Sequence, residues 1–245
     1  MLVDRYFEAM DKVLEKSRRV NRETLEKLGE VIADSVAHGG QMFIFDSGHL
    51  VNQEMLYRAG GALYLKKFEY SFSVKTEPQP RKRETEPAIA VTERDILRTA
   101  FAHSDVRPGD VFIVGSVSGN SANVVDMALT AKEAGCTLVC ITSLEASPRL
   151  QPKHPCGKRL FELGDYVLDN CAPYGDAMLE VEGVEQKCFP ASGLGAAYTL
   201  WAMMACATES LVRRGISPTM LRSANLPDGM EYLETQHKRY QELGY

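Results

Sequence analysis

The chain of 245 residues carries 28 lysines and arginines against 33 aspartates and glutamates, a formal charge of −5. That balance excludes a general attraction for nucleic acid or an anionic membrane surface, so any anion has to be bound locally. Apolar residues make up 44% and charged residues 25%, an ordinary globular composition that excludes extensive disorder, and the length suits one α/β unit with a helical extension.

In chain order, residues 3–37 read as a helix, because Tyr6, Met10, Val13, Leu14 and then Leu25, Leu28, Ile32, Val36 recur at three- and four-residue steps. Gly39 and Gly40 end it. The strand QMFIF (41–45) follows, then the turn DSG and a helical pattern over 50–59 stopped by Gly60 and Gly61. LYLKKFEYSFSV is strand-like but irregular. TEPQPRKRETEP (76–87), with three prolines and many charges, reads as an exposed loop whose functional alternative is a lid. A helix is expected over 92–104 with Thr92 as N-cap, then the turn RPGD and the strand VFIVG. After SVSGNS (116–121) a helix runs over 122–134, Gly135 closes it, and TLVCIT is a β-branched strand. Residues 160–163 and 166–169 give a further helix–strand step, and MLEVEG (178–183) alternates like a strand.

The stretch 188–208, CFPASGLGAAYTLWAMMACAT, has no charged residue and is long enough to span a bilayer. Pro190, Ser192, Gly193, Gly195 and Thr199 interrupt its first half, so a buried helix is expected instead, covered by the core or a partner subunit. A last helix is expected within 227–245. The six cysteines form no CxxC pair, and MLVDRYFEAMDK lacks the basic and apolar regions of a secretion signal, which implies free thiols in a reducing cytoplasm. His154 and Cys156 in KHPCG have no partner pair at zinc-site spacing, so neither metal nor cofactor is expected.

Continuous apolar strands separated by helices imply a parallel sheet buried on both faces, a doubly wound α/β sandwich. Ligands of such sheets sit beyond the carboxyl ends of the strands, which singles out DSGHL (46–50) and SVSGNS. A loop of Ser116, Ser118, Gly119, Asn120 and Ser121 entering a helix presents unpaired amides, a favourable dipole and neutral hydroxyl donors, the means to hold a phosphate without lysine. The competing reading is a plain turn and N-cap. Neither the GxxxxGKS/T pattern nor GxGxxG is present, which disfavours nucleotide triphosphates and dinucleotides.

The strand followed by S-x-S-G-x-S, a helix and AKEAGCTLVCIT resembles the phosphate-binding core of SIS (sugar isomerase) domains. FDSGH, the ExxxRAGG of 54–61, VSGN, VDMA, HPxGKxL and DNxxxxGDA, in this order, are most similar to the uncharacterised SIS-domain proteins related to phosphoheptose isomerase. The resemblance spans residues 3–226 and implies one SIS domain: a helical segment 1–38, an α/β core 39–226 with a five-stranded parallel sheet flanked by helices, and the C-terminal helix. It further implies a homodimer or homotetramer with sites at subunit interfaces. The ligand it implies is a phosphorylated sugar held by Ser116, Ser118, Gly119, Asn120 and Ser121, with Ser47, Gly48 and His49 from the first loop and Ser192 at the start of the apolar helix.

Aldose–ketose isomerisation moves a proton between adjacent carbons through an enediol, which needs a carboxylate or imidazole and a donor for the enediolate oxygen. Glu93, Glu54, His49 and His154 are the candidates. Each has a structural alternative: Glu93 as a first-turn carboxylate, Glu54 as the partner of Arg58 four residues on, His154 as a turn residue. Asp169, Asn170 and Asp176 form a polar cluster with site and capping roles both open. The functions that follow are a phosphosugar isomerase, a lyase or deaminase on an amino-sugar phosphate, or a non-catalytic phosphosugar sensor.

Overall fold

The computed structural model describes residues 1–47, 52–73, 75 and 90–245. Its elements are α1 (Leu2–Ala37), β1 (Met42–Asp46), the single turn α2 (Asn52–Met55), β2 (Leu65–Lys67), α3 (Glu93–Ala102), β3 (Val111–Gly115), α4 (Ala122–Glu133), β4 (Thr137–Thr142), β5 (Tyr166–Asp169), β6 (Ala177–Leu179), β7 (Cys188–Pro190), α5 (Ser192–Arg213) and α6 (Gly229–Leu243). Five strands form one parallel sheet in the order β2-β1-β3-β4-β5, and β6 pairs antiparallel with β7 as a separate ribbon.

Side chains alternate across a strand, so each central strand feeds two cores. Ile44 lies opposite Ile113, and Ile113 opposite Val139, and all three face the layer of α1 and α5 with Leu28, Ile32, Leu200 and Met203. Phe43, Phe112, Val114 and Leu138 face the other layer, with Leu97 and Phe101 of α3 and Val124 and Met127 of α4. Both faces are thereby dry, which is why these strands read as unbroken apolar runs.

α1 and α5 approach closely enough that a Cβ on Gly29 would stand 2.7 Å from the Cβ of Cys206. Polar side chains fix the register of that contact. Ser17 and Thr199 share a hydrogen bond of 2.7 Å, and buried Asn21 donates to the Asp169 carbonyl at 2.8 Å while accepting the Asp169 amide at 2.9 Å. The end of β5 is therefore tied to α1, at the carboxyl edge where parallel α/β sheets hold their ligands.

Three expectations change in detail. The helix predicted over 50–59 is one turn among the described residues, ended by Tyr57 at a left-handed φ of 58°. Among the described residues of the irregular segment, only Leu65–Lys67 form a strand of the sheet. The apolar stretch divides into β7 and a helix that starts at Ser192, and no helix among the described residues is long and apolar enough to cross a membrane. All six cysteines are free, and burial pushes the Cys136 and Cys171 thiols up to about 12.

Candidate phosphate-binding cleft

Where β3 ends at Gly115, the Ser116 amide still donates to the Ile141 carbonyl at 3.1 Å, and then the chain leaves the ladder. The Ser116 hydroxyl accepts the Gly119 amide at 3.2 Å, closing a tight turn, and Gly119 takes φ 59°. An added Cβ there would meet Leu160 at 3.0 Å and the hydroxyls of Ser147 and Thr142 at 3.2 Å, so the position requires glycine on both counts.

Three of the loop's carbonyls are bonded to its supporting wall. Val117 accepts the Ser143 amide and the Thr142 hydroxyl at 3.1 and 3.0 Å, Gly119 accepts the Leu160 amide at 2.7 Å, and Asn120 accepts the Lys153 amide at 3.0 Å. The amides of Ser118, Asn120 and Ser121 donate to nothing among the described residues. Ser121 is the N-cap of α4 without a side-chain cap bond, so the first-turn amides are open as well. Carbonyls on one side and unpaired amides on the other, at the positive end of a helix, make a concavity for an anion.

Ser116, Val117 and Ser118 line a cleft of about 540 Å³ with Asp46 and Ser47 from the end of β1, Ala146 and Leu150 after β4, and Tyr174, Gly175 and Asp176 after β5. No lysine or arginine is among these lining residues. Leu150 and Tyr174 were not read from the sequence as site residues, and Asp46, though it opens the singled-out DSGHL loop, was given no role there. Their contribution depends on loops distant in sequence meeting at one sheet edge, and no local spacing announces it.

The other candidates fall elsewhere or are already occupied. Asn120 is buried and donates its side-chain amide to the Gln151 carbonyl at 3.1 Å, which braces the loop. Ser192 is buried and donates its hydroxyl to Asp176 Oδ2 at 2.8 Å, while Asp176 Oδ1 accepts the amides of Ala191 and Ser192 at 3.1 and 2.8 Å. Asp176 thus caps α5 from the cleft wall. Glu54 pairs with Arg58 at 2.6 Å and, with Ser192, lines a separate apolar groove of about 960 Å³ between α1 and α5. Glu93 opens α3 and accepts the Tyr70 hydroxyl; burial, then that bond, raises the Tyr70 pKa and keeps the phenol a donor. The capping box of α3 is formed by Thr92 and Asp95. Gly48, His49 and the charged segment 76–87 lie outside the described residues.

His154 is a brace. Its Nδ1 accepts the Cys156 amide at 3.0 Å, which puts the ring proton on Nε2, facing Asp126 Oδ1 of α4 at 3.1 Å. Asp169 accepts the amides of Leu144 and Cys171 at 3.0 and 2.9 Å, and Asn170 accepts the Ala172 amide at 3.0 Å, so both shape the loops beside the cleft. Among the described residues no group of His, Cys, Asp and Glu side chains is arranged to hold a metal ion.

This architecture is that of SIS domains, whose family model matches residues 5–143, and the chain belongs to that family. Its relatives include a UPF0309 protein of Streptomyces griseus, 33% identical over 94% of this chain and 92% of that protein. A UPF0309 protein of Oceanobacillus iheyensis is 32% identical over 96% of this chain and 93% of that one. The solved structure of phosphoheptose isomerase from Neisseria gonorrhoeae shares the fold, with TM-score 0.52 and 13% identity over 85% of this chain and 96% of that one.

Proposed function

We propose that the cleft binds the phosphate monoester of a sugar and that the protein interconverts its aldose and ketose forms. One observation carries the reading: the 116–121 loop spends the carbonyls of Val117, Gly119 and Asn120 on its supporting wall and leaves the amides of Ser118, Asn120 and Ser121 unpaired among the described residues, beside a cleft sized for a small ligand. Membership of the SIS family, and the phosphorylated sugar in the name of the structural relative, support it.

Isomerisation needs a group that carries the proton between the two carbons. Glu54 and Glu93 are absent from the cleft lining, whereas the Asp46 carboxylate is part of it. In this reading Asp46 takes the proton, with His49, three residues on, as the second candidate. The hydroxyls of Ser47, Ser116 and Ser118 supply donors to the phosphate and the enediolate oxygen. The open apolar groove, bordered by exposed Leu2, Val3 and Leu194, supports a homodimer or homotetramer that covers it.

A second reading, binding without turnover, is favoured by the commitment of Asp176, Glu54 and Glu93 to protein partners. Proton NMR in heavy water with a panel of aldose and ketose phosphates separates the two. The isomerase reading expects exchange of the C2 proton for at least one sugar, abolished by Asp46→Asn or His49→Gln and kept by Glu54→Gln and Glu93→Gln. Binding without any exchange makes the protein a sensor. A lyase or deaminase acting on an amino-sugar phosphate begins with the same proton abstraction and reveals itself by expulsion of the β-substituent or by release of ammonia, respectively. Ser118→Ala is expected to weaken the phosphorylated sugar by about 1.5–3 kcal/mol, the worth of a hydrogen bond to a charged group, and to leave the unphosphorylated sugar unchanged. Equal weakening of both contradicts the assignment of the loop to phosphate.

A further inference from the structure

Tyr174 lines the cleft with Ser116, Ser118 and Leu150, yet the reading above gives it no task. It stands in the loop after β5 with 51% of its surface exposed. An aromatic ring left half in water in the wall of a cleft is surface waiting for an apolar partner.

The ring is held rather than free. The Tyr174 backbone amide donates to Glu145 Oε1 at 3.3 Å, and the Arg149 guanidinium lies 5.3 Å from the ring centroid, which occupies one face with a cation. The next two residues, Gly175 and Asp176, take left-handed φ of 85° and 67°, and Asp176 is pinned to the start of α5 by three hydrogen bonds. A left-handed aspartate persists only where its surroundings enforce it, so the backbone carrying Tyr174 is fixed on both sides.

Resting on the assignment of a phosphate monoester to the 116–121 loop, we propose that Tyr174 is a specificity-determining residue. Its ring stacks on the apolar C–H face of a pyranose, so the cleft captures the sugar phosphate in its six-membered ring form. The negative face of the phenol meets C–H groups that carry slight positive charge. An open-chain sugar has no continuous apolar face and loses more rotational freedom on binding. Asp176 stands in the same wall, and a carboxylate has about four lone-pair positions, of which three are used, leaving one for a ring hydroxyl. Capture as a ring means that ring opening in the cleft, in which the anomeric hydroxyl gives up its proton and the ring oxygen takes one as the C–O bond breaks, precedes the transfer of the proton between carbons.

Isothermal titration calorimetry of the whole protein tests this with three kinds of probe. The first is methyl pyranoside 6-phosphates of glucose, galactose and mannose, which cannot open; the second is sorbitol 6-phosphate, which cannot close; the third is inorganic phosphate. At least one locked pyranoside is expected to bind the wild type about tenfold tighter than sorbitol 6-phosphate, ~1.4 kcal/mol. Tyr174→Leu should remove that advantage, Tyr174→Phe should keep it, and inorganic phosphate should bind all three proteins alike. No ring preference in the wild type, or one that survives Tyr174→Leu, overturns the proposal while leaving phosphate recognition standing. Failure of inorganic phosphate and every ester to bind the wild type removes the underlying reading itself.

Discussion

Gly195→Ala is expected to lower the thermal midpoint by roughly 5–10 °C, a loss of about 2–3 kcal/mol for a chain of this size. Helix propensity alone argues the other way, since alanine inside a helix is worth up to ~1 kcal/mol over glycine. Geometry decides the sign. Gly195 lies in the first turns of α5, and a Cβ built on it would overlap the carbonyl oxygen of Asn170. That oxygen is main chain at the end of β5, where the Asn170 amide donates to the Thr142 carbonyl at 2.9 Å and Asn21 clamps the preceding residue. The strand end cannot retreat without breaking those bonds, so α5 has to move, and the Asp176 cap at its start goes with it. Differential scanning calorimetry gives the answer; a midpoint unchanged or raised contradicts the close approach.

The second large effect is on binding. Gly119→Ala places a side chain where φ is 59°, which costs about 1–2 kcal/mol, and crowds Leu160, Ser147 and Thr142 at 3.0–3.2 Å. Relief comes most directly by turning the peptide units of Ser118 and Asn120, and those units present the unpaired amides. Affinity for a sugar phosphate is therefore expected to fall more than tenfold, by over ~1.4 kcal/mol, together with a moderate loss of stability. Gly39→Ala is the control: its φ is 84°, nothing lies within 4 Å of an added Cβ, and it follows α1. It should show the stability loss with binding intact. A Gly119→Ala protein that binds as well as Gly39→Ala separates the loop's conformation from recognition.

The layers were legible because parallel strands covered on both faces must be apolar at every position, as FIVG and LVCI are, and because α1 repeats its apolar residues at helical spacing on either side of Ser17 and Asn21. The loop at 116–121 was legible for a related reason, since amides at a strand-to-helix junction are open unless something caps them. The ribbon of β6 and β7 was not, because a short alternating run does not say which partner it takes. Glu54 illustrates the limit for side chains. Its spacing to Arg58 gave the ion pair, but that it borders the α1–α5 groove instead of the serine cleft depends on how α2 sits over α5. Tyr174 and Asp46 escaped for the opposite reason: one tyrosine in a loop and one aspartate at a strand end are ordinary until β1, β3 and β5 bring their ends together.

Amide-resolved NMR of the uniformly labelled protein, titrated with inorganic phosphate, bears most directly on whether a dianion nests at the start of α4. The amides of Ser118, Asn120, Ser121 and Ala122 are expected to shift saturably and together, with those along the α1–α5 groove unmoved. Amides at 116–124 that stay in place at saturating phosphate contradict the whole functional reading, and so do shifts that gather at any other surface.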